Sequence, residues 1–178
     1  DQNRPLFLYV AFNAPHTPIE APIELINEFT DIDNEKDRVY AANVSALDTE
    51  IGRIIKAIEQ EGILEETIIL FFSDNGPVFD IDPIAQVIAP NLINAKGSTA
   101  GLRGSKTSTF EGGIRVPAVI WWKGVIENAK SDQFFFVQDI LPTLLRASNV
   151  NVAETIKFDG KDKCCLLYTS PSPRDSDT

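Results

Sequence analysis

The chain is poor in cysteine, histidine and methionine. Its 178 residues contain two cysteines, one histidine and no methionine. The cysteines are the adjacent Cys164 and Cys165, so residues 1–163 contain none. This excludes a disulfide framework or a cysteine-based metal site from that part of the chain. Because Asp1 is not methionine, we expect it not to be a natural start.

Long apolar runs and an excess of positive charge are also missing. No stretch reaches the length of a transmembrane helix, and no signal-peptide pattern opens the sequence. The net charge of −10 argues against a general nucleic-acid or anionic-membrane surface. It does not exclude an anionic small substrate, because a local cluster of Lys and Arg decides such binding. The composition, 43% hydrophobic and 24% charged, is that of a soluble globular domain with one sizeable core.

The most informative segment is Asp74-Asn75-Gly76, which directly follows the apolar run Thr67 to Ser73. β-branched and aromatic residues dominate that run, which predicts a buried strand. In open α/β sheets, ligands bind beyond the carboxyl ends of strands. Asp and Asn oxygens are hard ligands that suit Ca²⁺ or Mg²⁺. Asp-Asn-Gly is equally good turn chemistry, which leaves a purely structural interpretation open.

The only histidine, His16, lies in Asn13-Ala14-Pro15-His16-Thr17-Pro18. This segment follows Leu6 to Phe12, which we also predict to be a buried strand. The flanking prolines restrict the backbone around His16, and such a loop suits a catalytic imidazole. A structural histidine is the alternative.

A basic, glycine-rich segment runs from Gly101 to Pro117. Its glycines and serines surround Lys106, Arg103 and Arg115, which suggests backbone that approaches an anion closely with cations beside it. A solvated basic loop is the alternative, and for Arg103 in particular that interpretation stays open. We expect Glu111 and Arg115 to hold the loop in shape. Three other residues are assigned structural roles, namely Asp48, Trp121 and Trp122.

The predicted elements alternate between strand and helix. A helix is expected from about Glu35 to Glu61, because its apolar residues recur every three or four positions. A third strand is expected at Val116 to Trp122, and a helical stretch that begins at Ser131-Asp132 and includes Val137 to Ala147. Residues Pro77 to Ala100 have no clear period and form a long excursion, interpreted as a lid. This order predicts an α/β sheet with helical crossovers.

Four stretches, in this order, resemble the sulfatase family and most closely its arylsulfatase branch. They are the strand with Ala14 to Pro18, the helical Tyr40 to Asp48, the strand with Ser73 to Gly76, and Leu102 to Lys106 with Glu111 to Pro117. The resemblance runs from about Leu6 to Asp162. It implies part of an alkaline-phosphatase-like α/β fold, with a mostly parallel sheet and helices on both faces.

The resemblance also implies roles for five residues. Asp74 and Asn75 would be calcium ligands, His16 and Lys106 catalytic residues that bind the substrate, and Arg103 a further substrate contact. Sulfate monoesters of small molecules or glycans would be hydrolysed through a formylglycine nucleophile. That nucleophile and the remaining aspartate ligands lie N-terminal of the matching region in the family, and their absence here indicates a truncated domain. A periplasmic, secreted or lysosome-like location is also implied.

Two other function classes stay open. A metal-dependent phosphodiesterase or phosphonate hydrolase of the same superfamily would share the fold and the Asp-Asn pair. A non-catalytic binding relative would have lost the nucleophile or the aspartates. The residues upstream of the matching region would discriminate these classes from a sulfatase.

The last residues differ in character from the rest. Cys165 to Asp175 resembles the translation of a transposon-type sequencing adapter, with a Ser/Pro-rich disordered tail as the alternative. We therefore predict a partial catalytic domain over residues 1–163 and a non-native, disordered tail over residues 164–178 that packs against nothing. The 178-residue chain alone is expected to be inactive and prone to association.

Overall fold

A computed structural model describes residues 5–78 and 97–168. The chain divides into two compact units: Asp1–Leu64 with Leu70–Val119, and Glu65–Ile69 with Ile120–Thr178. The predicted domain over residues 1–163 therefore spans both units. The elements in chain order are α1 (Ile23–Ile26), α2 (Glu35–Gln60), a 3-10 turn (Leu64–Glu66), β1 (Ile68–Phe72), α3 (Glu111–Ile114), β2 (Ala118–Trp122), α4 (Val137–Ala147) and α5 (Cys165–Tyr168).

The long helix α2 confirms the helical periodicity of the sequence. Asn34 caps its first turn, where Oδ1 accepts hydrogen bonds from the backbone N–H groups of Lys36 at 3.0 Å and Asp37 at 3.2 Å. The helix gives way to a turn at Gly62, whose φ of 72° suits glycine. The short helix α1 packs against α2, and Ala42 and Asn43 are the buried residues of α2.

The two described strands pair with each other in an antiparallel sheet. The backbone N–H of Ser73 donates to the carbonyl of Pro117 at 3.4 Å, next to the facing strand ends Phe72 and Ala118. The predicted strands near Thr67 to Ser73 and Val116 to Trp122 are thus confirmed, as is the mixed α/β character. The first was expected to be buried, whereas it is half-buried and Phe71 is 42% exposed. A mostly parallel sheet is not confirmed, since the sheet in the described residues consists of this antiparallel pair.

The predicted buried strand at Leu6 to Phe12 is wrong for this structure. The segment forms no strand, and its side chains are exposed, with Phe7 82% and Tyr9 75% accessible. A strand is stabilised by the hydrogen bonds of a neighbouring strand. Within residues 5–78 and 97–168 no neighbour provides such a ladder for this segment, so apolar composition alone does not make it a strand.

In the second unit, α4 begins at Val137 rather than at Ser131. Its start is set by Asp139, whose Oδ2 accepts the backbone N–H of Phe136 at 3.0 Å. Pro142 lies inside the helix and lacks the N–H that would bond to the carbonyl of Gln138. Gly160 lies against that carbonyl so closely that a Cβ would overlap it.

The prediction that the chain packs against nothing from Cys164 onward is wrong for residues 164–167. Cys164 and Leu167 are buried, and residues Cys165–Tyr168 form a helical turn. The backbone N–H of Cys164 donates to Asp162 Oδ1 at 2.7 Å, and that of Leu167 donates to the carbonyl of Cys164 at 2.9 Å. Satisfied amides and removal of apolar side chains from water order this turn.

Two further predictions fall partly or wholly on residues that are not described. Residues 169–178 of the predicted tail lie outside the described part, as do residues 79–96 of the predicted lid. Among the helices that are described, none is both long and apolar enough to cross a membrane.

Candidate active site

The loop after β1 carries two side chains, Asp74 and Asn75, whose oxygens have no hydrogen-bond partner among the described residues. Asp74 is exposed, and its carboxylate makes no hydrogen bond or ion pair with the described residues. Asn75 uses its side-chain N–H to donate to the carbonyl of Gly76 at 3.0 Å, which leaves Oδ1 available. The Ser73 hydroxyl donates to the carbonyl of Asn75 at 3.0 Å and so stabilises the turn. The turn interpretation and the ligand interpretation are therefore compatible. The Ser73 hydroxyl and the Asn75 side-chain N–H bond within the turn, while the Asp74 carboxylate and Asn75 Oδ1 have no partner among the described residues.

The same loop is joined to the basic segment by backbone hydrogen bonds. The N–H of Gly76 donates to the carbonyl of Gly113 at 2.9 Å, and the N–H of Lys106 donates to the carbonyl of Pro77 at 2.9 Å. These bonds bring together two segments that are separated by about thirty positions in the sequence. Asp74, Asn75 and Lys106 thus belong to one cluster of loops in the first unit.

The glycines of this cluster serve close packing of backbone on backbone. A Cβ on Gly76 would overlap the carbonyl of Gly112, and one on Gly112 would overlap the carbonyl of Gly104. A Cβ on Gly113 would likewise overlap the carbonyl of Ser108. No larger residue fits at these positions without a shift of the backbone.

Several backbone N–H groups of the basic segment already donate within the protein and are not available to an anion. Gly112 donates to the carbonyl of Arg103 at 2.7 Å, and Gly113 donates to that of Phe110 at 2.8 Å. The N–H of Ser105 donates to Ser108 Oγ at 3.2 Å, and this hydroxyl donates back to the Ser105 carbonyl at 2.8 Å. A direct contact between an anion and the remaining backbone N–H groups of this loop stays a prediction.

The two candidate cations differ in how they are held. Lys106 is half-buried, and its ammonium group forms no ion pair within the described residues. Arg103 is exposed, and its guanidinium lies over the Phe110 ring, 3.8 Å from the ring centroid. This cation–π contact holds the Arg103 side chain at the loop surface. Neither cation has an ion-pair partner in the described part of the chain, and Lys106 is the less exposed of the two.

Other charged and aromatic residues behave as the sequence suggested. Arg115 and Glu111 form an exposed ion pair at 3.2 Å across α3, which supports a role in loop shape. The indole N–H of Trp122 donates to the carbonyl of Glu65 at 3.0 Å within the second unit. Asp48 is exposed on α2. None of these observations assigns Arg115, Glu111, Trp122 or Asp48 to the candidate site.

His16 occupies an exposed turn in the first unit. Its backbone N–H donates to the carbonyl of Asn13 at 2.8 Å, and its ring Nδ1 lies 2.9 Å from the carbonyl of Thr17. An N–H on Nδ1 donates to that carbonyl and leaves Nε2 open. These hydrogen bonds are local, and the convergence of His16 with Lys106 on one anion stays a prediction.

One polar residue near this turn was missed at the level of sequence. Asn43 is 7% exposed and donates its side-chain N–H to the carbonyl of Glu20 at 2.6 Å. It lies four residues after Val39 and four before Leu47, so it is an amide on the apolar face of α2. A polar residue within an apolar helical stripe is the signal that would have found it.

The donor set fits a hard divalent cation in part. Among the described residues, no group of three or more His, Cys, Asp or Glu side chains converges on one point. Asp74 and Asn75 supply an unpartnered carboxylate and an unpartnered amide oxygen in adjacent positions. Oxygen donors of this kind suit calcium, which takes about six to eight oxygens, so this pair would supply a minority of the ligands.

Comparison with known proteins gives one consistent result. The family model described as Sulfatase matches residues 1–150. The chain is 32% identical over 160 residues to the uncharacterized sulfatase YdeN of Escherichia coli, covering 89% of this chain and 26% of that protein. It is 33% identical over 164 residues to mouse arylsulfatase J, covering 91% and 25% respectively. The chain thus spans about a quarter of the length of these relatives.

A solved structure and a further relative agree with these sequence matches. The crystal structure of Ps i-CgsB in complex with k-i-k-neocarrahexaose is similar with a TM-score of 0.72 and 31% identity, covering 90% of this chain and 33% of that chain. The chain is also 32% identical over 160 residues to dog N-acetylgalactosamine-6-sulfatase, covering 89% of this chain and 28% of that protein.

Proposed function

The chain belongs to the sulfatase family, and we propose that the protein containing it hydrolyses sulfate esters. The observation that carries this proposal is the loop cluster of Asp74, Asn75 and Lys106. Two oxygen ligands without internal partners and one unpaired ammonium group are held by backbone hydrogen bonds in the same cluster. Such a set suits an anionic substrate bound beside a cation.

Lys106 would stabilise the charge that develops on the sulfate group. As the bond to the leaving oxygen breaks, negative charge spreads over the peripheral oxygens of the transferring group. A fixed ammonium group near those oxygens interacts more strongly with the transition state than with the bound ester. The backbone bond from Lys106 to Pro77, at 2.9 Å, fixes the base of this side chain and reduces the reorganisation it needs.

His16 would donate a proton or a hydrogen bond to a sulfate or leaving-group oxygen. Its Nδ1 lies 2.9 Å from the carbonyl of Thr17, so Nε2 would be the atom left to meet a reaction partner. The imidazolium form carries an N–H on both nitrogens and can donate from Nε2 while Nδ1 stays bound to Thr17. This arrangement orients the ring before the substrate arrives.

Asp74 and Asn75 would hold a calcium ion, together with ligands from outside this chain. A calcium ion bound there would supply positive charge beside the sulfate group, and a formylglycine would supply the nucleophile. Asp74 would contribute the negative charge of the site and Asn75 a neutral oxygen through Oδ1. The hydrogen bond from Asn75 to the carbonyl of Gly76, at 3.0 Å, orients that amide with its oxygen outward.

The substrate class proposed is a sulfated small molecule or a sulfated glycan. The support lies in the names of relatives: one is called N-acetylgalactosamine-6-sulfatase, and one solved structure is a complex with k-i-k-neocarrahexaose. Arg103 would make an additional contact with the substrate from the loop surface. A periplasmic, secreted or lysosome-like compartment belongs to the same proposal and rests on family resemblance.

The test uses the full-length protein that carries this chain and compares Asp74→Ala with Asp48→Ala. Asp48 is an exposed carboxylate on α2 and serves as the matched control. Asp74→Ala should lower both the bound calcium per protein and the turnover of an aryl sulfate, while Asp48→Ala changes neither. Unchanged calcium content in Asp74→Ala would refute the ligand assignment. Faster turnover of a phosphodiester or a phosphonate than of sulfate esters would refute the reaction class.

A further inference from the structure

Within the described residues, one side-chain hydrogen bond links the loop that carries His16 to another part of the chain. We define the His16 loop as residues 13–20. Asn43 on α2 donates its side-chain N–H to the carbonyl of Glu20, at the end of this loop, across 2.6 Å. Asn43 is 7% exposed, so water competes little for this bond.

No other hydrogen bond in the described residues leaves the loop. The N–H of His16 bonds to Asn13, and the His16 ring bonds to Thr17, so both contacts stay inside it. The position of the loop relative to α2 therefore depends on the Asn43 amide and on the packing of α1 against α2 that follows. A single hydrogen bond with this long reach in sequence is a specific tether.

The backbone between Glu20 and His16 can transmit this constraint. Glu20 lies four residues after His16, and Pro18 lies between them. Proline fixes φ near −65°, so this stretch has fewer backbone torsions to absorb a shift at Glu20. A displaced Glu20 carbonyl would move the His16 turn as well.

The oxygen of the Asn43 amide bears on the role of this residue. Its Oδ1 is buried and has no hydrogen-bond partner in the described structure. A buried acceptor without a partner is costly, and an apolar residue of similar size would avoid that cost. Stability alone therefore does not favour asparagine at this position, whereas anchoring the Glu20 carbonyl requires its N–H.

We infer that Asn43 is a positioning residue for His16, which it holds in place through the carbonyl of Glu20. This inference rests on the proposed function of His16 as a donor to the substrate. Asn43 itself touches neither the substrate nor the imidazole in this assignment. Its effect on turnover would pass entirely through the His16 loop.

The first experiment needs no catalytic activity. His16 is the only histidine of the 178-residue chain, so its ring gives a single set of histidine signals in a ¹H–¹³C NMR spectrum. Asn43→Leu should shift or broaden the His16 ring signals. Leu47 is half-buried on the same helix and makes no hydrogen bond to the His16 loop, so Leu47→Ala should leave these signals in place. Unchanged His16 signals in a folded Asn43→Leu chain would overturn the inference.

The second experiment is a double-mutant cycle in the full-length protein. Asn43→Leu should lower kcat by roughly ten- to a hundredfold with little change in KM, the size expected for a misplaced catalytic group. In a His16→Ala background, Asn43→Leu should cause no further loss, because its route to the reaction is already gone. Leu47→Ala should leave kcat close to that of the unmodified protein.

Two failures are distinguishable in this cycle. Equal losses from Asn43→Leu in both backgrounds would show that Asn43 does not act through His16, and would overturn the inference. Full activity of His16→Ala would instead refute the role of His16 in the proposed function. Where Asn43→Leu does not fold, Asn43→Ser removes the tether with a small polar side chain and gives the same two comparisons.

Discussion

The backbone N–H of Gly76 donates to the carbonyl of Gly113 across 2.9 Å. The bond joins the loop of Asp74 and Asn75 to the loop that contains Lys106. A Cβ at position 76 would overlap the carbonyl of Gly112, so the two loops approach this closely only because that residue is glycine. The relative position of the oxygen ligands and the ammonium group therefore depends on glycine packing.

The first prediction concerns this packing. Gly76→Ala should lower the free energy of unfolding by about 1–3 kcal/mol, because its Cβ would overlap the carbonyl of Gly112. Gly52→Ala is the matched control, since nothing lies within 4 Å of a Cβ at that helical position. It should raise stability by about 0.5–1 kcal/mol. Urea denaturation measures both, and equal stability of the two variants would contradict the role of Gly76.

The second prediction concerns the free cation. In the full-length protein, Lys106→Ala should lower kcat more than it raises KM, because the charge acts mainly in the transition state. Arg103→Ala should have a smaller effect on kcat, since its guanidinium is already held by the Phe110 ring at 3.8 Å. Lys56→Ala removes an exposed lysine of α2 and should leave the kinetics unchanged. A change confined to KM in Lys106→Ala would indicate uniform binding instead.

The third prediction concerns pH and Asp139. This carboxylate is 3% exposed, and the backbone N–H groups of Lys161 and Phe136 lower its pKa below the usual value. Because the folded-state pKa is depressed, the stabilisation is complete above the unfolded pKa of about 3.9 and is lost as pH falls through the folded-state pKa. Asp139→Asn should therefore cost about 1–3 kcal/mol near neutral pH and less at low pH.

Urea denaturation of Asp139→Asn at pH 7 and pH 3 tests that sign. Asp132→Asn is the control, because Asp132 is exposed. It should change stability little at either pH. A deficit of Asp139→Asn that grows as the pH falls would contradict the assigned direction.

The fourth prediction concerns the end of the described chain. Leu167 is 4% exposed, and Leu167→Ala should lower the free energy of unfolding by about 2–5 kcal/mol. Leu141→Ala, at a leucine that is 55% exposed, should cost much less. Deletion of residues 164–178 should likewise lower Tm. Equal stability of the two leucine variants would restore the expectation that this end of the chain packs against nothing.

Much of the local structure could be predicted from the pattern of residues. The apolar spacing between Val39 and Ile58 predicted α2, and the β-branched run before Ser73 predicted β1. The polar and charged candidates Asp74, Asn75 and Lys106 were also found in this way. The Leu6 to Phe12 segment has equally strong apolar character, yet it forms no strand in the described structure.

The role of the glycines could not be decided from the sequence for a related reason. Glycine marks any close approach of backbone, and the sequence does not say whether an anion or another loop approaches. Here Gly112 and Gly113 donate their N–H groups to the carbonyls of Arg103 and Phe110. The hydrogen bond of Asn43 was missed because its partner, Glu20, lies 23 positions away.

The sequence by itself determined the family of this protein, the helix α2, the strand β1 and the residue types available for chemistry. These depend on local periodicity and on the chemical nature of single side chains. Only the tertiary structure decided that Lys106 lies in one cluster with Asp74, that the Gly112 and Gly113 amides are occupied, and that Asn43 donates to the carbonyl of Glu20. Each of these depends on hydrogen bonds between residues distant in the chain, and their formation requires packing that no local pattern encodes.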